Sequence, residues 1–332
     1  VTVSTTEAAP AARRLSADSG PADRVFLGTL RGGGGLVLVI MSFVGAFLTY
    51  RAWDALGEAG PSFVTTEAWE PDSGNFGIAA VLVGTVLIAT VAICLSVPLA
   101  TGTALYISEY APPRLKQTLI SMIDLMAAVP SVVYGLWGLF YLQGNVVGLA
   151  RWLSTYLGWF PPFSVPGTDP GDPLASASVY TASTFIAGIV VAMMVSPIIC
   201  SIMREVFSQA PVGEREGALA LGATHWGMIR SVVLPFGRGG MIGGTMLGLG
   251  RALGETIGVY MVISPVFEIQ WHVLQQGGNS VSSLIALRYG DASEFHLSAL
   301  MAAGLALFLM TLVVNFLASS IVARSRSGAQ TG

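Results

Sequence analysis

The sequence predicts an all-α membrane protein with six spanning helices and both termini on the cytosolic side. Three observations predict it. Of 332 residues, 53% are hydrophobic and only 11% are charged, whereas a soluble globular protein carries roughly 25% charged residues. The apolar residues fall into long blocks, each near the 20 or so residues that a helix needs to cross a bilayer. Arginine and lysine concentrate in one alternate set of the connecting segments.

The first block runs from about Gly33 to Ala52. Before it, residues 1–30 are polar and rich in Ala, Ser, Thr and Pro, and lack the apolar stretch of a signal peptide. They are expected to form a disordered cytosolic tail, with Gly32 to Gly35 as a flexible start to the membrane passage. The second block lies within Phe76–Ile107, the third covers about Leu119–Leu142, and the fourth about Thr181–Met203. The fifth, glycine-rich, lies within Pro235–Pro265, and the sixth covers about Leu297–Val322. Residues 31–325 thus read as one transmembrane domain, and 326–332 as a cytosolic tail. Pro98, Pro130 and Pro197 sit inside or near the ends of these blocks. Proline at lipid depth is tolerated where neighbouring helices satisfy the freed backbone groups, so a packed bundle is expected.

Orientation follows from the basic residues. One set of segments holds Arg13, Arg14, Arg24 and Arg31; Arg114 and Lys116; Arg204, Arg215, Arg230 and Arg238; and Arg324 and Arg326. The opposite set holds only Arg51, Arg151 and Arg288, beside many acidic residues. The first set is therefore cytosolic. The longest outside loop is 143–180, with Trp152, Trp159 and five prolines. Its tryptophans suit interfacial anchoring; docking of an external protein is the alternative.

Several functions are excluded. A net charge of −3 with mixed signs gives no case for nucleic-acid binding. Cys94 and Cys200 lie in apolar runs, which suits buried, inert thiols rather than a disulfide framework or zinc site. His225, His272 and His296 are too scattered for a metal cluster, and no nucleophile–base set assembles within the membrane.

Two constellations carry chemistry. Segment 211–235 holds Glu216, Gly217, Ala218, Gly222, Ala223 and Thr224. Its small residues let another backbone approach closely. Pro211, Glu214 and Glu216 suit a helix start, Gly222 interrupts the run, and Pro235 opens the next span. A short helix, a break and a second short helix would form a knuckle fit for a groove in a soluble partner; an ordinary amphipathic loop is the plainer reading. The second constellation is Arg251-Ala-Leu-Gly-Glu255-Thr256 in the fifth block. Arg251 and Glu255, four apart, would share a helix face. Charges at membrane depth cost at least ~2.5 kcal/mol on insertion scales, so they suggest a water-filled path or a structural pair. Arginine suits an oxyanion because its planar fork donates parallel hydrogen bonds. In the third block, Pro130 and Ser131 with Gly135 and Gly138 permit a helix break and close packing; Asp124 lies near its cytosolic end.

Segment 214–235 resembles the EAA motif of ABC-importer permeases. Glu216, Gly222, Val232, Leu234 and Pro235 stand at its spacing, with Gly217 for the first Ala and Val232 for Ile. Arg251–Thr256 resembles the signature of phosphate-importer permeases. The run Pro130–Phe140, the Phe76-Gly-Ile segment and Gly84-Thr85 are similar to the PstC branch, and the continuation Thr256-Ile-Gly-Val-Tyr-Met departs from the PstA branch. The resemblance covers about Phe76 to Ala323.

It implies the type I ABC-importer permease fold in a bacterial plasma (inner) membrane and inorganic phosphate as substrate. It implies a PstA-like second permease, a PstB-like ATPase dimer and a PstS-like phosphate-binding protein as partners. ATP and Mg would be bound by the ATPase, since this chain has no Gly-x-x-x-x-Gly-Lys-Ser/Thr loop; no cofactor is expected in the chain itself. Residues 216–218 and 222–224 would dock on the ATPase. Arg251, Glu255 and Thr256 would line the substrate path, with Glu255 holding Arg251 and disfavouring sulfate. Pro130, Ser131, Tyr134 and Asp124 would be helix-break or gating residues. A gradient-driven secondary anion transporter is the rival, but it should show two corresponding halves with broken helices. A sulfate or molybdate permease is the nearer alternative, and the Arg251–Thr256 signature argues against it.

Overall fold

The computed structural model describes residues 20–169, 171–172 and 176–326. The chain falls into two units, residues 1–47 and 48–332. The first is built on helix α1 (Pro21–Arg51), which runs on into the second. Residues 21–30, expected in the tail, are helical, and Gly32 to Gly35 continue the helix rather than loosening it. No residue of α1 is buried. Its glycines are tolerated because the apolar residues after them keep the segment where an unbonded backbone would be costly. The disorder expected for residues 1–19 lies outside the described residues.

In the second unit, α2 (Trp53–Ala59) leads to a two-stranded hairpin, β1 (Trp69–Glu70) and β2 (Asn75–Phe76). The hairpin is antiparallel, with Trp69 opposite Phe76. Both rings are buried with Phe63, and Phe295 stacks edge-on to Phe76. The Trp69 indole N–H donates to His296 Nε2 at 3.1 Å, and Ser293 donates to Asp72 at 2.8 Å. The hairpin is thereby fixed to the start of the last helix.

Helix α3 (Ala79–Leu105) ends in a π turn, Tyr106–Tyr110. Then comes the main departure from expectation. The third block does not form one helix over 119–142. Instead α4 (Pro113–Ala128) stops at an extended Val129-Pro130, and α5 (Ser131–Trp137) begins a new helix. A π turn, Gly138–Leu142, carries it into α6 (Gln143–Leu157). The spanning segment is therefore Ser131–Leu157. Proline at 130 decides this, because it disfavours α conformation in Val129 and has no N–H to offer. The outside loop expected at 143–180 shrinks accordingly to 158–183, and Trp152 lies within α6.

Helix α7 (Thr184–Ser208) is the centre of the bundle; 72% of its most apolar stretch is buried, more than in any other described span. The Ser183 hydroxyl caps it, accepting the Ile186 N–H. After α8 (Val212–Ala220) and α9 (His225–Met228), a π turn, Ile229–Val233, joins α9 directly to α10 (Leu234–Leu253). The fifth span thus runs His225–Leu253 and does not start at Pro235. The expected second short helix of the knuckle is its first turn. Pro235 lacks the N–H that an α-helix would need there, and the π turn just before it absorbs the mismatch. The chain continues through α11 (Ile257–Val262) and α12 (Val281–Arg288) to α13 (Glu294–Arg326).

Glycines explain how α10 and α7 pack. Gly237, Gly240, Gly244 and Gly248 lie on one face of α10, three or four residues apart. A Cβ added at these positions would meet Phe207, Val206, Ile202 and Ile199 of α7 respectively. The bulky side chains of one helix fill grooves that only glycine leaves open. Cys200 of α7 is buried as expected, whereas Cys94 of α3 is exposed on the bundle surface; it faces outward because Ala92 and Ser96 take the inward positions.

Candidate functional site

The structure builds two sites from the residues singled out by sequence. The first begins where α10 ends. Gly254 caps that helix, so Glu255 and Thr256 lie in the break before α11. Arg251 and Glu255 therefore do not share a helix face, and the expected pair does not form. Arg251 is exposed in the last turn of α10, and among the described residues no hydrogen bond or ion pair engages it. Glu255 turns inward and is only 9% exposed. Its Oε1 accepts the Gly258 N–H at 3.1 Å, an unsatisfied donor of the first turn of α11. Its backbone carbonyl accepts the Ser282 hydroxyl at 2.7 Å. The Thr256 hydroxyl donates to the Gly254 carbonyl at 3.2 Å. Glu255 and Thr256 thus shape the break, while Arg251 keeps its donors available.

The Pro130 segment meets this break from the other side. Gly135 of α5 lies against Gly258 and Met261 of α11, close enough that a Cβ would crowd both. Gln143 donates to the Val262 carbonyl at 3.0 Å, closing the end of α11. Two runs more than a hundred residues apart are thereby brought together. Ser131 opens α5 after the Val129-Pro130 break without a side-chain cap. The Tyr134 hydroxyl reaches back across that break and donates to the Met126 carbonyl at 2.9 Å, which also accepts the Val129 N–H at 3.3 Å. Asp124 accepts a hydrogen bond from Ser201 at 3.3 Å, which ties α4 to α7. Asp124 is on α4, outside the spanning segment, not at the end of a span as expected.

The second site is the elbow between α8 and α9. Helix α8 ends in a Schellman motif: the Gly222 N–H bonds to the Leu219 carbonyl at 2.9 Å, and the Ala223 N–H to the Ala218 carbonyl at 3.1 Å. That motif needs a left-handed residue, and Gly222 supplies it with φ +86°. Thr224 then caps α9, its hydroxyl accepting the Gly227 N–H at 3.0 Å. Glu216, Gly217, Gly222 and Thr224 are exposed, while Ala218 and Ala223 are half-buried. The space around Gly217 and Gly222 is open. Leu221 stands out of the elbow at 91% exposure. A narrow, rigid turn of small residues with one apolar tip can enter a groove in another molecule.

Sequence reasoning missed the contacts that hold this elbow to the bundle. Arg215 of α8 lies 3.3 Å from the Glu109 carboxylate, in the π turn after α3, and donates also to the Phe207 carbonyl near the end of α7. The Tyr110 ring stands edge-on to His225 with centroids 4.8 Å apart. Arg215 sits in a Glu-Arg-Glu run that reads as a solvated face. Only the absence of a neighbouring apolar stripe on α8 could have signalled that it holds the helix down.

Residues 96–327 match the family described as "Binding-protein-dependent transport system inner membrane component". The chain is similar to "Phosphate transport system permease protein PstC 2" of Mycobacterium bovis, 36% identical over 92% of this chain and 93% of that one. It is similar also to the "Phosphate transport system permease protein PstC" of Pasteurella multocida, 35% identical over 87% of this chain and 88% of that one. Among solved structures, a chain of the bacterial alginate ABC transporter in complex with an alginate-bound periplasmic protein aligns with TM-score 0.60. At 14% identity, over 94% of this chain and 97% of that one, this likeness shows the shared type I ABC-importer permease fold. Six apolar helices among the described residues, the family match over most of the chain and these relatives agree: the chain is a multi-pass membrane permease subunit and belongs to the binding-protein-dependent transport system inner membrane component family, in its PstC branch.

Proposed function

We propose that the chain is one membrane subunit of an ATP-driven importer of inorganic phosphate. The likeness to PstC permeases over nine-tenths of the chain supports the substrate class, and the observation that carries the site is the exposed, unengaged guanidinium of Arg251 beside a break in the fifth span. Arg251 offers donors to a tetrahedral oxyanion. Glu255 does not hold Arg251; it braces the break by capping α11, so that Arg251 is presented on a fixed frame. Thr256 shapes the same break.

The partners are a PstA-like permease completing the path, a PstB-like ATPase dimer binding ATP and Mg, and a PstS-like phosphate-binding protein on the outside. The arginine-rich loops and both termini face the cytosol. The elbow at 216–224 seats in the ATPase, with Leu221 at its tip. Closure of the ATPases on ATP displaces the elbow, and the helices it belongs to alternate the path between outside and inside. Flux requires that the anion be held weakly enough to leave, which a single exposed arginine provides.

The test is phosphate uptake by the co-purified complex in proteoliposomes with its binding protein. Arg251→Gln is expected to lower ATP-dependent uptake at least tenfold while all subunits still co-purify. Uptake at the wild-type rate would sink Arg251 as the anion's partner. Uptake that ignores ATP and follows an ion gradient would replace the importer by the secondary transporter.

A further inference from the structure

We propose that Arg215 is the linkage through which the elbow moves α3 and α7. This rests on the coupling role given to the elbow above. Helix α8 has very little other hold on the bundle. Of its nine residues none is buried, and only Arg215 and Ala218 are half-buried; the other seven are exposed. Ala218 touches the core that contains Phe207, Met228 and Ile229, but one methyl group resists sliding weakly. Arg215 does more. One of its Nη atoms lies 3.3 Å from Glu109, whose side chain is 3% exposed, and the other donates to the Phe207 carbonyl. A single planar guanidinium thus grips the cytosolic ends of α3 and α7 from α8. Lysine carries its three donors on one nitrogen and lacks the two forked Nη atoms with which Arg215 spans Glu109 and Phe207.

The location of Glu109 strengthens the inference. It belongs to the π turn Tyr106–Tyr110, closed by the Ala111 N–H on the Tyr106 carbonyl at 2.8 Å. An inserted π turn displaces the residues after it around the helix axis, and such turns recur at functional sites. Here it places Glu109 under α8 and Tyr110 against His225, on the two sides of the elbow. A nearly dry carboxylate requires its cation, so Glu109 and Arg215 must move together. Displacement of α8 is therefore carried into α3 and α7 as a pull on fixed polar contacts rather than lost in sliding. The end of α7 leads into the helix packed against α10, whose far end presents Arg251.

The experiment compares the wild-type complex with Arg215→Met/Glu109→Met in proteoliposomes, reading subunit co-purification, ATP hydrolysis and phosphate uptake. Removing both charges leaves no lone buried ion, and such replacements are often tolerated by the fold. The expected result is an assembled complex that still hydrolyses ATP, with uptake per ATP at least tenfold lower. An unchanged ratio of uptake to hydrolysis overturns the linkage. A second variant, Arg215→Lys, keeps the charge beside Glu109 but loses the planar fork that spans Glu109 and Phe207. Its ratio is expected to fall at least threefold, and a wild-type ratio overturns the linkage even where the double variant fails to assemble. A wild-type complex that takes up no phosphate with ATP overturns instead the importer reading on which the linkage rests.

Discussion

At Gly84 of α3 the backbone of the Asn279 region comes so close that a Cβ would run into the Asn279 carbonyl. The next residue, Thr85, accepts the Val281 N–H on its hydroxyl at 3.0 Å, which suspends the start of α12 from α3. Ser280 and Ser283 cap α12 reciprocally beside it. Gly84→Val should force these backbones apart at a cost of about 1–3 kcal/mol, the usual range for overpacking. A lowered thermal midpoint of the purified complex is the check; an unchanged midpoint would mean the segment gives way freely. Sequence marked Gly84-Thr85 only through resemblance. No local pattern announces that a glycine faces a carbonyl nearly two hundred residues away. The same holds for Arg251 and Glu255. Four-residue spacing puts two side chains on one face only while the helix lasts, and Gly254 ends it. Their residue types were legible, but their relation depended on where the helix stops.

Elements were read well where apolarity alone defines them and poorly where a backbone defect does. The second, fourth and sixth spans stand within a few residues of expectation. The third was displaced, because Pro130 outweighs a continuous apolar pattern. In the fifth, a π turn rather than a loop precedes Pro235, and a π turn has no reliable sequence signature. The elbow was legible as helix, break and helix because Gly222 is a strong stop signal. Gly222→Ala should cost about 1–2 kcal/mol, since a non-glycine residue is strained at φ +86°. Gly222→Asp adds charge to the open face proposed above to receive the ATPase. We expect Ala to reduce binding-protein-stimulated ATP hydrolysis partly and Asp to abolish it. Equal, near-wild-type rates in both would remove the elbow from the ATPase interface. At the Pro130 break, Tyr134→Phe loses the bond to the Met126 carbonyl, worth about 0.5–1.5 kcal/mol. Amide exchange in residues 122–129 should quicken; unaltered exchange would show that α4 is secured by Asp124 and Ser201 alone.

For the whole molecule, orientation is the property that charge distribution predicts and packing cannot supply. Six spans, the number of helices among the described residues that are long and apolar enough to cross, would put both termini on one side, and the basic residues would choose the side. In right-side-out vesicles, a membrane-impermeant maleimide should label a cysteine placed at Ser73 or Thr168 and spare one at Glu216. Both native cysteines are first replaced by alanine. Labelling at Glu216 alone would invert the topology. The segments before α7 and after α11 are laced together by backbone bonds, such as the Phe185 N–H to the Val273 carbonyl at 2.8 Å and the Val273 N–H to the Pro162 carbonyl at 2.9 Å. That lacing was invisible in the sequence because neither segment has a regular period. It fixes these segments against one another.

The glycine face of α10 imposes an asymmetry on how this permease can change through time. When two facing residues both carry side chains, growth on one can be offset by shrinkage on the other, in either order. Gly237, Gly240, Gly244 and Gly248 have nothing left to give up. Enlargement of Ile199, Ile202, Val206 or Phe207 therefore has no suppressor on the opposite helix. An alanine arising in α10, by contrast, can be rescued by trimming α7, as Gly248→Ala would be by Ile199→Val. Compensation between these two helices runs in one direction only, and lineages that diverge here should be found to have changed α7 first.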